Sequence, residues 1–262
     1  MSSIIEVKNL NVSINDKHIV KNLSFSIPEH QLTAIIGPNG CGKSTTLKAI
    51  SRILAHTGEV TFKGRDLKSF SHKEFARSLA VLTQSPQAPT DLTVYDLVEM
   101  GRFPYRSFLG RQTEEDKHYV HWALEQTNMT SMRHRLLSTL SGGERQRAWI
   151  AMALAQNPEV LFLDEPTTYL DICHQLEIMQ LLERLNKELG LTVVMVLHDL
   201  NHTLQYTQHV IVIKQGELVC EGDPKAEVTQ KLLREVYNVV ADEFACSNGL
   251  RALVPIDLEK NL

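Results

Sequence analysis

The chain has 262 residues, of which 43% are hydrophobic and 22% are charged, with a formal net charge of −4. This composition is typical of a globular protein with a full-sized core, and it excludes a disordered or low-complexity chain. The basic residues are dispersed, which argues against nucleic acid binding. The sequence has neither a secretion signal nor an apolar run of about 18 residues, so we expect a cytosolic protein.

The first predicted element is an antiparallel hairpin. Apolar and polar residues roughly alternate from Ile4 to Ile14 and from Val20 to Ile27, with Asn15-Asp16 between them, which predicts an edge layer of sheet. Further along come four runs that are apolar almost throughout: TAIIG, LAVLT, VLFLD and TVVMVLH. Such runs are typical of central parallel strands that are covered on both faces.

Predicted helices alternate with these strands, as an α/β fold with a mostly parallel sheet requires. They are Lys43–Ile53, Gly142–Gln156, Ile172–Leu189 and Leu200–Thr207. Between Leu92 and Leu140 there is no strand-like run, and apolar residues recur at helical spacing, which predicts a separate helical lobe. The run IKQGELVCEG predicts a second hairpin around Gln215-Gly216.

The run GPNGCGKST, Gly37–Thr45, joins the first buried strand to a helix. It matches GxxxxGK[ST], in which glycines let successive N–H groups point into one concavity and the helix N-terminus adds positive potential. Lys43 would reach the β- and γ-phosphates of a nucleotide, and the Ser44 hydroxyl would ligate Mg²⁺. The alternative is a chance glycine turn, but the strand before the run and the helix after it favour nucleotide binding.

Two adjacent carboxylates end the buried run VLFLDEP. Asp164 would hold Mg²⁺ through water, and Glu165 would polarise the water that attacks a phosphate. Alone, such a pair marks a strand that meets solvent. Together with the phosphate loop it predicts a hydrolytic site.

Guanine recognition has no support, because Asn186-Lys187-Glu188-Leu189 lacks the Asp of an Asn-Lys-x-Asp element. A second Gly-Gly turn stands before a helix in LSGGERQR, Leu140–Arg147. It would present N–H groups and a serine hydroxyl to an anion. The alternative is a simple helix cap by Ser141.

With these runs in place, the chain resembles the nucleotide-binding subunits of ATP-binding cassette (ABC) transporters over nearly its whole length. The matching elements are Gly37–Thr45 as Walker A, Gln84 in VLTQ as the Q-loop, Leu140–Glu144 as the signature, Asp164 and Glu165 as Walker B, Leu170-Asp171 as the D-loop, and His198 in VLHD as the switch histidine. The order of these elements is that of the family. The alternative, if these residues are considered one at a time, is that Gln84 and Asp171 are polar surface residues and that His198 caps the end of a strand.

The resemblance implies a P-loop NTPase fold of ABC type that binds ATP and Mg²⁺. The expected fold is one domain, 1–262, with a RecA-like core and an antiparallel β layer over 1–90 and 141–262, and a helical subdomain over about 91–140. The resemblance also implies a head-to-tail homodimer, in which each ATP lies between the Walker A of one chain and the signature of the other. In that arrangement Ser141, Gly142 and Gly143 bind the ATP of the other chain, a role that they could not have in a single chain.

The same resemblance assigns individual roles. The residues expected to contact ATP are Gly37, Pro38, Asn39, Gly40, Cys41, Gly42, Lys43, Ser44 and Thr45, with Ser141, Gly142, Gly143 and Asp171, the last crossing the dimer interface. The catalytic residues are Glu165 as base, His198 on the γ-phosphate, and Gln84. The Mg²⁺ ligands are Ser44, Gln84 and Asp164.

Two positions near the expected nucleotide site, Ile14 and Cys41, have unusual residue types. ABC subunits usually carry an aromatic residue after the first strand to stack on adenine, but NVSINDKH has Ile14 there, and nearby His18 is a weak substitute. Cys41 lies at a helix N-terminus, an environment that lowers a thiol pKa. The alternative for Cys41 is a small residue that merely fits. The four cysteines form no CxxC pair, so we expect free thiols.

Longer segments, two of which include the D-loop and the switch histidine, indicate the branch of the family. PTTYLDICHQ, VMVLHDLNHT and GRFPY resemble the bacterial iron(III)-siderophore importers. The expected protein is therefore a translocase subunit on the cytoplasmic face of the cell membrane, and Gln84 and Gly101–Tyr105 are expected to dock its transmembrane permease partners. An extracytoplasmic siderophore-binding protein would be an indirect partner. The alternatives are an importer of vitamin B12, haem or a metal ion, and a non-transport ABC-type regulatory ATPase; for Gly101–Tyr105 the alternative is an ordinary turn.

Overall fold

A computed structural model of the chain describes residues 2–84, 86, 89, 91–106, 112–247 and 249–259. The chain divides into two compact units. Unit 1 consists of Met1–Ser69 and Val194–Leu262, and unit 2 consists of Phe70–Val193.

The strands, in chain order, are β1 (Ser3–Ile14), β2 (Lys17–Pro28), β3 (Leu32–Ile36), β4 (Thr57–Phe62), β5 (Arg65–Asp66), β6 (Leu79–Leu82), β7 (Val160–Asp164), β8 (Thr192–Val196), β9 (His209–Lys214), β10 (Glu217–Gly222), β11 (Val239–Ala245) and β12 (Arg251–Leu258). The helices are α1 (Lys43–Ile50), α2 (His72–Ser78), α3 (Val94–Met100), α4 (Glu114–Gln126), α5 (Gly142–Ala155), α6 (Ile172–Leu189), α7 (Leu200–Tyr206), α8 (Pro224–Glu227) and α9 (Gln230–Leu232). A π-helical turn, Leu233–Tyr237, comes directly after α9.

Unit 1 begins with an antiparallel sheet in the strand order β2-β1-β4-β5. Strands β1 and β2 form the predicted hairpin, and Asn15 and Asp16 turn the chain with φ values of 46° and 62°. Val7 lies opposite Phe25 of β2 on one side and Val60 of β4 on the other, and all three side chains are buried. The alternation in the sequence thus becomes one buried and one more polar face.

The buried parallel strands of unit 1 lead to the predicted phosphate loop. Strand β3 runs parallel to β9, with Ala34 opposite Val210, and β10 pairs antiparallel with β9 through the predicted turn at Gln215-Gly216. On the other side of β3, the N–H of Leu197 donates to the carbonyl oxygen of Ile35 at 3.2 Å. Every residue of β3 is buried, as a central strand requires.

Unit 2 contains the parallel pair β6 and β7, with Val81 opposite Phe162. Its helices α3 and α4 confirm the helical segment predicted between Leu92 and Leu140. Strand β8 is next to β7 in the sheet order, and α6 has the predicted bounds. The predicted α/β fold with a mostly parallel sheet, an antiparallel layer and helices is confirmed.

Helix ends differ from the sequence prediction by small amounts. The first helix ends at Ile50 rather than Ile53, because Ser51 leaves the helical conformation and Arg52 has a φ of 63°. The fifth and seventh helices each end one residue early. None of the helices in the described part of the chain is long and apolar enough to cross a membrane.

Candidate functional site

The predicted phosphate loop links β3 to α1 within unit 1. Gly37, Gly40 and Gly42 have φ values of 148°, 75° and 106°, which side-chain-bearing residues rarely adopt. A Cβ atom on Gly37 would lie 2.0 Å from the carbonyl oxygen of Ile213. The first glycine is therefore required both by its backbone conformation and by the close approach of β9.

Lys43 begins α1 and folds back over the loop. Its Nζ donates to the carbonyl oxygens of Gly37 at 2.8 Å and Pro38 at 3.0 Å. An ammonium group has three N–H donors, so these two bonds leave one for a phosphate oxygen. Among the described residues, no side chain caps the first N–H groups of α1 at Gly42. The ammonium and the uncapped helix N-terminus together suit the phosphates of a nucleotide.

The inner side of this loop packs against two later segments of unit 1. The N–H of Gly216, in the turn between β9 and β10, donates to the carbonyl oxygen of Cys41 at 2.9 Å. Tyr237, at the end of the π-helical turn, lies beside the loop. A cavity of about 270 Å³ beside the loop is lined by Pro38–Cys41, Lys214, Gln215 and Val236–Asn238.

Cys41 lies in this buried layer and is 5% exposed. Burial raises the pKa of its thiol above the ordinary value, although the Lys43 ammonium and backbone N–H groups oppose that shift. The expectation of a lowered thiol pKa at the helix N-terminus is therefore wrong, because desolvation outweighs the positive charges nearby. The alternative, a small residue that fits the loop, agrees with the structure.

In unit 2, the predicted pair of carboxylates stands at the end of β7. Asp164 is buried and ends the strand, whereas Glu165 has a φ of 56° and turns the chain away from the strand direction. The Oε2 atom of Glu165 accepts hydrogen bonds from Gln84 Nε2 at 2.6 Å and from Thr168 Oγ1 at 3.0 Å. The structure thus brings Gln84 and Glu165 into direct contact. Nothing in the sequence indicated Thr168.

Ser141 is the N-cap of α5. Its Oγ accepts a hydrogen bond from the N–H of Glu144 at 3.3 Å, while Oε2 of Glu144 accepts from the N–H of Ser141 at 2.7 Å. This reciprocal capping box confirms the helix-cap interpretation of the LSGGE run. The backbone hydrogen bond from Ser141 lowers the pKa of Glu144 and keeps it ionised at the helix N-terminus.

The signature glycines pack against the segment after β7. A Cβ atom on Gly143 would lie 1.9 Å from the His174 ring, and one on Gly142 would lie 3.3 Å from Leu170. Asp171 is the N-cap of α6, and its Oδ1 accepts from the N–H and Nδ1 of His174 at 2.9 and 2.8 Å. The structure therefore brings the predicted signature and D-loop together in unit 2.

His198 and Ile14 belong to unit 1. His198 is exposed between β8 and α7, and the cap of α7 is its neighbour Asp199, which accepts from two backbone N–H groups. Ile14 ends β1 and is 39% exposed. His18 lies 3.0 Å from Asn11 Oδ1 through Nε2, so its ring is already engaged.

Gly101–Tyr105 forms a turn after α3. Arg102 is 1% exposed; its Nε donates to Asp116 Oδ1 at 2.9 Å and its Nη1 to the carbonyl oxygen of Ala155 at 2.8 Å. Its guanidinium also lies over the Tyr105 ring at 3.8 Å. Phe103, in contrast, is 59% exposed. The turn is thus fixed by one buried cation and presents one aromatic side chain to solvent.

The predicted Mg²⁺ ligands have the right chemistry. Ser44 carries a hydroxyl, Gln84 an amide and Asp164 a carboxylate, and Mg²⁺ accepts oxygen ligands of these kinds beside substrate phosphates. Within the described ranges, no group of three or more His, Cys, Asp or Glu side chains is arranged as a metal site. Such a cluster is not needed where phosphates complete the coordination.

The fold and the glycine loop between a buried strand and a helix define the class of P-loop nucleotide-binding proteins. A family model described as ABC transporter matches residues 20–168, more than half of the chain. The chain belongs to the ABC transporter family. It is an ABC-type ATPase and binds a nucleotide.

Two curated relatives and one solved structure show the extent of the similarity. The iron(3+)-hydroxamate import ATP-binding protein FhuC of Bacillus subtilis is 48% identical, over 91% of this chain and 89% of that protein. The ferric enterobactin transport ATP-binding protein FepC of Escherichia coli is 44% identical, over 84% of this chain and 82% of that protein. This chain is also similar to MJ0796, a bacterial ABC transporter cassette whose solved structure is dimeric. The TM-score is 0.72 and the sequence identity 31%, and the match covers 84% of this chain and 98% of the MJ0796 chain.

Proposed function

We propose that this chain is the ATP-hydrolysing subunit of an ABC importer that takes iron(III)-siderophore complexes across a bacterial cytoplasmic membrane. The observation that carries this proposal is the 48% identity to an iron(3+)-hydroxamate import protein, which extends over 91% of the chain. A second relative is named for ferric enterobactin, a different iron chelate. Iron chelates as a class are therefore better supported than any single siderophore.

ATP binding is assigned to Gly37–Thr45. The backbone N–H groups of this loop and the Lys43 ammonium hold the β- and γ-phosphates, and the Ser44 hydroxyl faces Mg²⁺. When bound, Mg²⁺ neutralises charge on the phosphates. Ile14 supplies apolar contact to the adenine, without the stacking that an aromatic ring would give.

Hydrolysis is assigned to Glu165, Gln84 and His198. Glu165 takes the proton of the attacking water as general base, and the hydrogen bonds from Gln84 and Thr168 hold its carboxylate in place. Gln84 and Asp164 offer oxygens to Mg²⁺. His198 hydrogen-bonds the γ-phosphate and stabilises the charge that develops there.

The complete site is formed by two copies of the chain in a head-to-tail homodimer. Ser141, Gly142 and Gly143 of one copy contact the ATP held by the loop of the other, and Asp171 lies at the interface. Support comes from the similarity to a cassette whose structure is dimeric. Gly142 and Gly143 give the phosphate close access to the N-terminus of α5.

Transport requires permease partners in the membrane. We assign their docking to Gln84 and the turn Gly101–Tyr105, in which Phe103 is the exposed aromatic side chain. The subunit thus works at the cytoplasmic face of the membrane, and an extracytoplasmic siderophore-binding protein delivers the cargo without contacting it. Within one ABC ATPase domain, 1–262, the core comprises 1–90 and 141–262 and the helical subdomain about 91–140.

Uptake of radioactive iron by the organism that encodes the chain tests the proposal. Cells that lack the gene, starved of iron, are given iron(III) on a single hydroxamate or catecholate siderophore. We expect uptake of at least one chelate to be lost and to be restored by the parental gene or by Glu115→Gln, an exposed control, but not by Glu165→Gln. Unchanged uptake of every siderophore contradicts the cargo assignment, and loss of vitamin B12 or haem uptake instead identifies an importer of another cargo. Recovery of no multi-span protein with the tagged chain from membranes indicates a non-transport ATPase.

A further inference from the structure

A histidine in unit 2 contacts both the D-loop and the signature. His174 lies in the first turn of α6, three residues after the N-cap Asp171. Its backbone N–H and its Nδ1 donate to Oδ1 of Asp171 at 2.9 and 2.8 Å. A carboxylate only accepts hydrogen bonds, so Nδ1 carries a proton. These two bonds lower the pKa of Asp171 and hold its carboxylate ionised at the N-terminus of α6.

The same ring lies against the backbone of the signature. A Cβ atom on Gly143 would come within 1.9 Å of Cδ2, 2.6 Å of Cγ and 2.9 Å of Nε2 of His174. The ring thus fills the space that a side chain at position 143 would need. Because Nδ1 is bonded to Asp171, the ring could give way only by losing that bond. His174 therefore connects the D-loop carboxylate to a signature glycine within unit 2.

The surface beside this connection is exposed in the single chain. Tyr169 and Ile172, on either side of Leu170-Asp171, are 89% and 78% exposed. A single exposed apolar residue is ordinary, but two large ones that flank a charged loop are typical of a surface that a protein partner covers. In the proposed function that partner is a second copy of the chain.

We propose that His174 is a positioning residue for the shared ATP site, which links the D-loop to the signature so that both meet the second copy in one fixed arrangement. We assign it no contact with the nucleotide. Since the Asp171 carboxylate and Gly143 are held against one side chain, two parts of the interface are ordered before the chains meet. Less conformational freedom is then lost on association. The inference rests on the proposed head-to-tail dimer.

Two variants each remove one half of the link. His174→Phe keeps a ring against Gly143 but has no side-chain N–H for Asp171, whereas His174→Asn keeps an N–H donor at the δ position but has no ring. His174→Ala removes both. His121→Phe, at an exposed position of α4, is the control. Each change is made in Glu165→Gln, and the dissociation constant of the dimer at saturating Mg²⁺ and ATP is measured by sedimentation velocity.

We expect His174→Phe and His174→Asn each to weaken the dimer about 5- to 30-fold, because the link is lost in both copies, and His174→Ala to weaken it at least as much. His121→Phe should dimerise as the parent does. If only one of the first two variants weakens the dimer, the hydrogen bond or the ring acts alone and the link is wrong. If none of the three does, His174 has no positioning role. Monomers of Glu165→Gln itself at saturating ATP would refute the shared site, and the inference with it.

The dependence of hydrolysis on protein concentration separates positioning from a general loss of structure. With Glu165 intact, we expect the His174 variants to hydrolyse ATP more slowly than the parent in dilute solution. They should approach the parental kcat at high protein concentration, because mass action restores the dimer. A deficit in kcat that persists at every protein concentration overturns the inference.

Discussion

The residues of the candidate site are oriented by neighbours within their own unit. In unit 2, Glu165 is held in a left-handed conformation that costs a residue with a side chain about 1–2 kcal/mol. Its carboxylate nevertheless meets the Gln84 amide and the Thr168 hydroxyl. Strain of this kind persists only where surrounding contacts hold the residue, and it is common where a side chain must be aimed at a substrate.

Glu165→Gln removes the proposed base and leaves the side-chain shape almost unchanged. Loss of a general base typically lowers rate by about 10²–10⁴, so we expect kcat to fall by that factor while ATP still binds. Steady-state hydrolysis and nucleotide calorimetry measure the two effects. Glu115→Gln on the exposed surface of α4 is the matched control and should behave as the parent. A parental rate in Glu165→Gln would show that another group is the base.

The thiols differ in burial, and this predicts an order of reaction. Burial raises the pKa of Cys41, so its thiolate fraction at neutral pH is below that of an ordinary thiol, whereas Cys173 and Cys246 are exposed. We expect iodoacetamide at pH 7.5 to modify Cys173 and Cys246 well before Cys41, as read by peptide mass spectrometry. If Cys41 reacts first, the loop is open in solution and its thiol is activated.

At the scale of elements, a single buried cation joins α3, α4 and α5 of unit 2. Arg102 comes just after α3, pairs with Asp116 in the first turn of α4, and donates to the carbonyl oxygen of Ala155 at the end of α5. Asp116 also closes the capping box of α4 with Thr113. The proposed docking turn therefore depends on an interaction that lies inside the unit rather than on its surface.

Arg102→Met tests this interaction against a more exposed ion pair next to the same turn. Removing the guanidinium leaves a buried carboxylate without its partner, which we expect to lower the free energy of unfolding by about 3–5 kcal/mol. Arg106→Met breaks the more exposed pair with Glu99, at 2.7 Å, and should cost about 1 kcal/mol or less. Urea unfolding of both variants makes the comparison, and equal losses would contradict a special role for Arg102.

The same pair predicts a dependence on pH. Burial opposes ionisation of Asp116, but hydrogen bonds from Thr113 and Arg102 outweigh it and lower the pKa of the carboxyl below its usual value of about 3.9. A lowered folded pKa means that the contribution is complete above about pH 4 and is lost as pH falls through the folded value. We expect the parent to lose more stability between pH 5 and pH 3 than Asp116→Asn does, when unfolding by urea is followed at each pH. Parallel losses in the two proteins would rule out this contribution.

At the scale of the whole molecule, the site residues are divided between the units. The phosphate loop and His198 belong to unit 1, whereas Gln84, Asp164, Glu165, the signature and Asp171 belong to unit 2. The phosphate loop and the signature therefore belong to different units. In the proposed head-to-tail dimer, the signature of one copy meets the phosphate loop of the other.

Dimer formation should therefore depend on ATP. We expect Glu165→Gln, which binds ATP without hydrolysing it, to double its mass in light scattering when Mg²⁺ and ATP are added. The double variant Lys43→Ala, Glu165→Gln should remain a monomer, because its loop no longer holds the phosphates. Monomers alone at saturating ATP would refute the shared site.

The local elements of this fold could be predicted because their patterns are local. The alternation in Ile4–Ile14, the buried runs and the GxxxxGK[ST] spacing each act over a few residues, and the structure has the corresponding hairpin, strands and loop. Short or weakly patterned elements such as β5, α2 and the hairpin β11–β12 were not predicted. The direction of the Cys41 pKa shift was predicted wrongly, since the burial of this loop residue depends on later segments of the chain that pack against the loop.

By itself, the sequence determined the class of the fold, the order of the motifs and the chemistry of each predicted site residue, because residue type and spacing set backbone freedom and charge. Only the tertiary structure decided which side chains meet. The contact of Gln84 with Glu165, the burial of Arg102 against Asp116 and the hydrogen bond of Gly216 to Cys41 all join residues that are separated in the sequence. Such contacts arise when the whole core closes, and no local pattern encodes them.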